Sequence, residues 1–146
     1  MGFTFRYETL RKVRSIKENM AQQRFSQAQR HYINLENLKN LRITAKNDVQ
    51  KELKTRMKSG LKSSQMKQYY DYLAFLEEAI QQLDKNLAAA QKELDDKREQ
   101  MLSAKREHKA IERLKELDEE RYISEQNRKE MCFIDEMAIL RHGGNQ

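Results

Sequence analysis

The stretch MKSGLKSSQM, residues 57–66, contains Gly60, the one glycine in the interior of this sequence. Glycine adopts left-handed backbone conformations without a steric penalty, which makes it a common residue at the end of a helix. Ser63 and Ser64 follow, and a serine hydroxyl can accept a hydrogen bond from the first free N–H groups of a new helix. The stretch therefore predicts one turn, over residues 59–63, with a helix on each side.

The composition favours long helices. The 146 residues include no proline, the residue that most often breaks a helix. Charged residues make up 36% of the chain and hydrophobic residues only 38%, against roughly 45–50% apolar residues in a typical globular domain. We predict a single coiled-coil domain over residues 1–146, with helices at 5–58 and 64–141.

Apolar residues of the second half repeat every 3.5 residues. Fourteen positions step by three and four without a slip, and twelve of them are apolar. This spacing keeps one seam of a helix facing a partner helix and indicates a coiled coil. The positions are Met66, Tyr69, Leu73, Leu76, Ile80, Leu83, Leu87, Ala90, Leu94, Lys97, Met101, Ala104, His108 and Ile111. Beyond them, the pattern shifts phase near Leu114 and Leu117.

The first half carries a less regular apolar pattern. We expect its apolar residues to face the second helix in two consecutive stripes. The first stripe consists of Leu10, Val13, Ile16 and Met20. After a drift, the second stripe consists of Ala21, Phe25, Ala28, Tyr32, Leu35, Leu38, Ala45, Val49, Leu53 and Met57.

The two halves carry opposite charge. Residues 1–67 contain 16 Lys or Arg against 5 Asp or Glu, and residues 68–146 contain 13 against 18. Opposite charge favours pairing of one half with the other and disfavours self-association. Together with the single turn, it predicts an all-α fold, an antiparallel two-helix coiled-coil hairpin with a longer second helix, which is monomeric when free.

The residue types that carry enzyme or metal chemistry are scattered. His31, His108 and His142 show no metal-ligand spacing with one another or with Cys132, and no glycine-rich phosphate loop occurs. His108 is expected to be a polar position that the seam tolerates. A two-helix hairpin also offers no enclosed pocket. We expect no catalytic residue, no metal and no cofactor, so the chain is not predicted to be an enzyme.

The compartment is predicted from three features. No stretch approaches the roughly 18 apolar residues of a membrane span. The N-terminal MGFTFRYETLRK lacks the apolar core of a signal peptide. Cys132 is the only cysteine, which excludes an intramolecular disulfide and fits a reducing compartment. We expect a cytoplasmic protein.

The stretch MCFIDEMAIL, residues 131–140, is apolar around most of a helix. With the turn centred near residue 61, the start of the first helix near Phe5 lies opposite about residue 117, so the second helix extends alone from Asp118 to Arg141. An exposed apolar patch usually marks a protein–protein site. We expect this overhang to be such a site.

Three stretches resemble one family in their order and spacing. FTFRYETLRKVRSIKE, residues 3–18, resembles the opening of the flagellar export proteins called FliJ. That family tends to begin with Phe-x-Phe followed by Leu-Glu-x-Leu, and here Tyr7 occupies the first Leu position. YYDYLAFLEEAIQQL, residues 69–83, is similar to the aromatic-rich start of the family's second helix. ERYISEQNRKEMCFIDEMAILRH, residues 120–142, is similar to its tail.

The resemblance implies a non-enzymatic component of the flagellar type III export apparatus, similar to the stalk subunit of rotary ATPases. It implies three partners, which are the hexameric export ATPase, the cytoplasmic domain of the export gate, and export chaperones. The protein is then expected at the flagellar base, peripheral to the membrane through the apparatus only. The residues expected to bind the gate are Tyr72, Leu76 and Ala79. The residues expected to bind the ATPase are Met131, Phe133, Ile134, Met137 and Leu140.

Two other functions remain open from the residues alone. One is a nucleic-acid-binding coiled coil that uses the basic first half, although the acidic half beside it offsets the field. The cations that crowd the start of the chain are Arg6, Arg11, Lys12, Arg14 and Lys17. The other is a structural rod that dimerises through its seam. We favour the export component, with no nucleic acid among its partners.

Overall fold

Two helices make up almost all of the structure. This computed structural model describes residues 2–144. Helix α1 spans Glu8–Ser59 and helix α2 spans Ser63–Gly144, with 52 and 82 residues. No strand occurs among the described residues. The predicted all-α fold with a longer second helix is confirmed.

The turn between the helices depends on Gly60. Its φ is +89°, in the left-handed region where a side chain would be strained. Because α2 begins at Ser63, Lys62 stands at the N-cap position, and its N–H donates to Oε1 of Gln65 at 3.4 Å. That bond is one half of a capping box. The predicted serine cap is wrong, because Ser63 and Ser64 already lie inside the helix.

The helix boundaries differ from the predicted ones by one to three residues. α1 begins late because Phe5 is buried outside the helix, where its C=O accepts a hydrogen bond from the Glu8 N–H at 3.3 Å. The first helix is predicted at 5–58 and is observed at Glu8–Ser59. The turn is predicted at 59–63 and is observed at 60–62. The second helix is predicted at 64–141 and is observed at Ser63–Gly144.

The packing divides the chain into two compact units. Met20–Met101 form one unit, named the turn unit because it contains the turn. Met1–Asn19 and Leu102–Gln146 form the other, named the terminal unit, of which residues 2–19 and 102–144 are described. Each unit contains segments of both helices. That the chain is a single domain stays a prediction.

The seam predicted for α2 is confirmed. Each of its fourteen positions is buried or half-buried, whereas most residues between them are exposed. Leu76 is completely buried. The other buried seam residues are Leu83, Ala90 and Leu94 in the turn unit, and Ala104 and Ile111 in the terminal unit.

Ion pairs between the helices show an antiparallel register in the turn unit. Lys39 pairs with Asp84 at 2.5 Å, and Lys46 pairs with Glu77. The two residue numbers of each pair add up to 123, so the register is centred within the 60–62 turn. The predicted hairpin with its turn near residue 61 is confirmed.

The first stripe predicted for α1 is wrong. Its four residues are 40–59% exposed and do not face α2. The residues beside them face α2 instead, because adjacent side chains point about 100° apart around a helix. In the second stripe, Leu38 and Met57 are exposed and the other residues are buried or half-buried.

The phase shift predicted near Leu114 is also wrong at that residue. Leu114 is exposed, and the seam continues with its 3.5-residue spacing from Ile111 to Lys115. The Nζ atom of Lys115 lies 3.7 Å from Oε2 of Glu8. Leu117 is half-buried. A charged residue occupies the seam position here because it has a partner on the facing segment.

We predict that Leu76→Ala lowers the free energy of unfolding by about 2–5 kcal/mol, because it leaves a cavity at a completely buried position. Leu41→Ala is the matched control, since it makes the same change in the same unit at a side chain that is 66% exposed. The control is expected to change stability by less than about 0.5 kcal/mol. Urea unfolding followed by circular dichroism measures both, and equal midpoints for the two variants would contradict the seam.

Candidate partner-binding surfaces

Charged residues occupy seam positions of α1 in the terminal unit. Arg11 lies between two carboxylates, with Nη2 at 2.6 Å from Oε1 of Glu8 and Nη1 at 2.8 Å from Oε1 of Glu112. Arg14 donates to the C=O of Glu107 at 3.1 Å. These contacts satisfy half-buried cations. α1 can therefore turn a polar side towards α2 and keep an apolar side outward.

The Arg11 guanidinium lowers the pKa of both carboxyls that it contacts. Its hydrogen bond is the largest cause of the lowered pKa of Glu8, and also of the lowered pKa of Glu112. The hydrogen bonds to Glu8 and Glu112 raise the pKa of Arg11 in turn. Burial acts against each of these shifts but is outweighed. The three groups are therefore charged at neutral pH.

His108 is a polar position of the α2 seam and faces two carboxylates. Its Nδ1 contacts Oε2 of Glu18, and its Nε2 lies 3.1 Å from Oε1 of Glu112. The geometry supports a structural histidine that the seam tolerates because both ring nitrogens have polar neighbours.

The N-terminal residues cover α2 only as far as Tyr122. The ring of Phe3 lies 5.6 Å from the ring of Tyr122, which is half-buried. Every residue from 123 to 143 is exposed. We name residues 123–143 the C-terminal overhang. It begins after Tyr122 rather than at the predicted Asp118, because the N-terminal aromatic residues fold against the nearer turns of α2.

The C-terminal overhang carries an exposed apolar surface. Its large apolar side chains, which include the five residues expected to bind the ATPase, have exposed fractions between 41% and 70%. They are Ile123, Met131, Phe133, Ile134, Met137, Ile139 and Leu140. No other segment of the described chain covers these side chains, so they remain accessible to a partner.

Sequence reasoning missed one apolar surface. Leu10, Val13 and Ile16 face away from α2 and form an exposed line along α1, which we name the N-terminal stripe. A signal for it exists in the sequence. In an antiparallel register, Arg11 and Glu18 fall opposite an acid and a histidine of the second helix, so the polar side of α1 has partners there.

The three residues expected to contact the export gate differ in accessibility. Leu76 is completely buried, so it cannot touch a partner while the seam is closed. Tyr72 is exposed and stacks on Phe75, with ring centroids 6.4 Å apart and an interplanar angle of 18°. Ala79 is half-buried. The accessible surface at this place consists of Tyr72 and Phe75 with the edge of Ala79.

The described residues contain neither a metal-binding cluster nor a membrane-spanning segment. No group of three potential metal ligands occurs within residues 2–144. Neither helix, over the same residues, contains a segment that is long and apolar enough to cross a membrane. The expected absence of a metal and of a cofactor stays a prediction.

Comparison with known proteins supports the family that the sequence resembles. The family model described as "Flagellar FliJ protein" matches residues 3–146. The chain belongs to the FliJ family. No curated protein and no solved structure matches it. Proteins of the FliJ family are non-catalytic components of flagellar protein export. This chain is therefore a component of flagellar protein export. That the chain itself has no enzymatic activity stays a prediction.

We predict that acid destabilises the terminal unit through Glu8 and Glu112. Their pKa values in the folded chain lie below the usual 4.5, so their stabilising effect is present above pH 4.5 and is lost as the pH falls through the folded values. Glu8→Gln with Glu112→Gln should therefore flatten the fall in unfolding free energy below about pH 4.5. Urea unfolding between pH 3 and pH 7 measures this.

Glu120→Gln is the matched control for the acid prediction. Glu120 is an exposed carboxylate of the same unit and forms no ion pair among the described residues. The control should keep the wild-type pH profile. An unchanged profile in the Glu8 and Glu112 double variant would contradict the prediction.

Proposed function

We propose that this FliJ-family chain is a stalk-like coiled coil of the flagellar type III export apparatus. We propose three partners, which are the hexameric export ATPase, the cytoplasmic domain of the export gate, and export chaperones. Family membership supports a role in flagellar export. The exposed apolar surface of the C-terminal overhang is the single observation that carries the proposed ATPase contact.

The proposed ATPase contact follows from the cost of exposing apolar side chains to water. Covering a large apolar side chain is worth about 1.5–3 kcal/mol, so a helix with several of them gains much from a partner. Methionine side chains adapt their shape to the partner surface. The residues that we propose for this contact are Met131, Phe133, Ile134, Met137 and Leu140. An apolar patch of this kind typically marks a protein–protein site.

We extend the proposed ATPase contact to the N-terminal stripe. Leu10, Val13 and Ile16 belong to the same unit as the C-terminal overhang and are exposed as well. A partner that encloses this unit can bury apolar side chains of both helices. Arg11 pairs with Glu112 and so holds the polar side of α1 against α2. The N-terminal stripe therefore faces outward, where a partner can reach it.

The proposed gate contact uses Tyr72, Phe75 and Ala79. The stacked pair of Tyr72 and Phe75 offers two exposed rings, and exposed aromatic side chains are frequent anchors of protein interfaces. Leu76, although part of the expected set, supports the contact from within the seam rather than by touching the gate.

We also propose the location and state of the chain. It is cytoplasmic at the flagellar base, peripheral to the membrane through the apparatus only, and monomeric when free. Family membership supports the place at the flagellum. The intramolecular seam supports a monomer, because the apolar positions that a homodimeric rod would need are occupied by the chain's own helices.

The alternative of nucleic-acid binding has little support from the terminal unit. Three of the cations that crowd the start of α1 have acceptors within the chain. Arg11 pairs with Glu8 and Glu112, Arg14 donates to the C=O of Glu107, and Lys17 pairs with the Glu107 carboxylate at 3.3 Å. Phosphate groups would have to compete with these carboxylates.

We predict that Phe133→Asp with Met137→Asp abolishes binding of the hexameric export ATPase. Two apolar contacts of about 1.5–3 kcal/mol each correspond to at least about a hundredfold loss of affinity. Surface plasmon resonance with the purified ATPase measures it. The matched control is Ser124→Asp with Asn127→Asp, which adds the same charge to polar positions of the overhang.

Both variants should melt like the wild-type chain, because the overhang lies outside the seam. Amide exchange provides a second readout. Residues 123–143 should exchange fast in the free chain and slowly with the ATPase. Slow exchange in a proven monomer would show that the overhang is already packed and would refute the proposal.

We predict that Tyr72→Ala weakens binding of the export gate's cytoplasmic domain by at least about fivefold, because it removes an exposed aromatic anchor. Tyr70→Ala is the matched control at a similarly exposed tyrosine. Their side chains point about 200° apart around α2. Isothermal titration calorimetry measures both variants. Undiminished binding by Tyr72→Ala, with an unchanged melting curve, would rule out this contact.

A further inference from the structure

A groove on the turn unit has no part in the contacts proposed above. It lies between the helices close to the turn and encloses about 500 Å³. We name it the turn groove. Its lining includes an apolar floor and two cations, which are Leu53, Met57, Tyr70 and Leu73 with Lys51 and Lys54. Two floor residues, Met57 and Tyr70, remain 44% and 52% exposed, so the floor is only partly covered by the chain.

Lys51 and Lys54, the two lysines of the turn groove, face the start of α2. Farther from the turn, paired residue numbers add up to 123, whereas close to the turn the Tyr69 hydroxyl donates to Glu52 at 3.1 Å. Residues 69–72 of α2, across from the two lysines, hold three tyrosines and one acid, Asp71. Among the described residues, neither ammonium group has an ion-pair or hydrogen-bond partner. Both charges are available to a ligand.

The surroundings of the turn groove carry a net positive charge. Residues 47–73, which span its lining, contain six Lys or Arg and three acids, Asp48, Glu52 and Asp71. The Oε1 atom of Glu52 lies 3.5 Å from Nη2 of Arg56 and accepts a hydrogen bond from the Tyr69 hydroxyl at 3.1 Å. This carboxylate is therefore engaged and does not line the groove. A ligand with negative charge is complementary to this field.

We propose that the turn groove binds an acidic amphipathic helix of a partner protein. The α1 side of the groove runs from residue 47 to 57, which is roughly 15 Å or about three helical turns. Apolar side chains of the partner cover Met57 and Tyr70, while its carboxylates meet Lys51 and Lys54. This is the helix-in-groove mode of recognition. A flat membrane surface fits less well, because the apolar residues form the floor of a concave site.

The proposal goes beyond the proposed function and does not depend on it. The gate contact uses Tyr72, whereas the groove uses Tyr70, and these side chains point about 200° apart around α2. The ATPase contact lies on the terminal unit, whereas the whole groove lies on the turn unit. Failure of either contact therefore leaves the groove open to an independent test.

The test uses the full chain and a fluorescein-labelled helical peptide of about 15 residues, with Leu at positions three and four apart and Glu elsewhere. Fluorescence anisotropy at low salt gives the dissociation constant. Lys51→Glu with Lys54→Glu should weaken binding by about tenfold or more, because attraction becomes repulsion. Lys85→Glu with Lys92→Glu makes the same charge change on exposed residues of α2 outside the groove. It should change the constant by less than about twofold.

A second pair of variants tests the apolar floor. Tyr70→Ala should weaken peptide binding by about fivefold, whereas Phe75→Ala, at an exposed aromatic residue outside the groove, should not. Melting curves that match the wild type confirm that all four variants are folded. Because these side chains are exposed, we expect such curves.

Four results would overturn the proposal. One is the absence of peptide binding at peptide concentrations up to about 1 mM. Another is equal binding of the same peptide with Lys in place of Glu. A third is binding of the chain to phosphatidylglycerol vesicles that Lys51→Glu with Lys54→Glu abolishes and that the peptide does not displace. That result would assign the groove to a membrane surface. The last is a dimer, seen by sedimentation, that these substitutions dissociate, which would assign it to a second copy.

Discussion

The antiparallel register of the seam is the constraint on which the other features depend. The 3.5-residue spacing decides which side of α2 is buried, and the turn at Gly60 decides which residues face each other. In the turn unit, this register gives Lys39 and Lys46 acidic partners, whereas Lys51 and Lys54 have no ion-pair partner among the described residues. A binding surface therefore arises from residues that the register leaves without partners.

The terminal unit shows the reverse use of charge. There Arg11 and Glu18 occupy seam positions that apolar residues usually hold. Arg11 pairs with Glu112 of α2, and Glu18 contacts His108 of α2. Half-buried ion pairs add little stability compared with apolar packing, because desolvation offsets much of the attraction. Their consequence lies on the other side of the helix, where Leu10, Val13 and Ile16 stay exposed. The seam is therefore less stable here than an apolar seam would be, and the N-terminal stripe remains exposed on the outer side of α1.

The turn, the α2 seam and the longer second helix could be predicted from the sequence, because a repeat of fourteen positions has one consistent phase. The start of α1 could not, because both Leu10 with Val13 and Arg11 with Arg14 have helical spacing. Periodicity predicts that the apolar pair faces α2. The polar pair faces α2 instead, because its side chains find hydrogen-bonding partners there. Of the candidate site, the exposed overhang could be predicted from the register, whereas the complete burial of Leu76 and the turn groove required the packed helices.

The two units also differ in how their surfaces can attract a partner. Residues 123–143 contain three Lys or Arg and four Asp or Glu, close to balance, so the overhang exerts little net field. Its apolar side chains gain free energy only on contact, when water is removed, and a partner must already fit them. Residues 47–73 carry six cations against three acids, and their field acts over about 8–10 Å before contact at moderate salt. The overhang therefore suits a long-lived interface, and the turn groove suits an acidic partner that binds and leaves quickly.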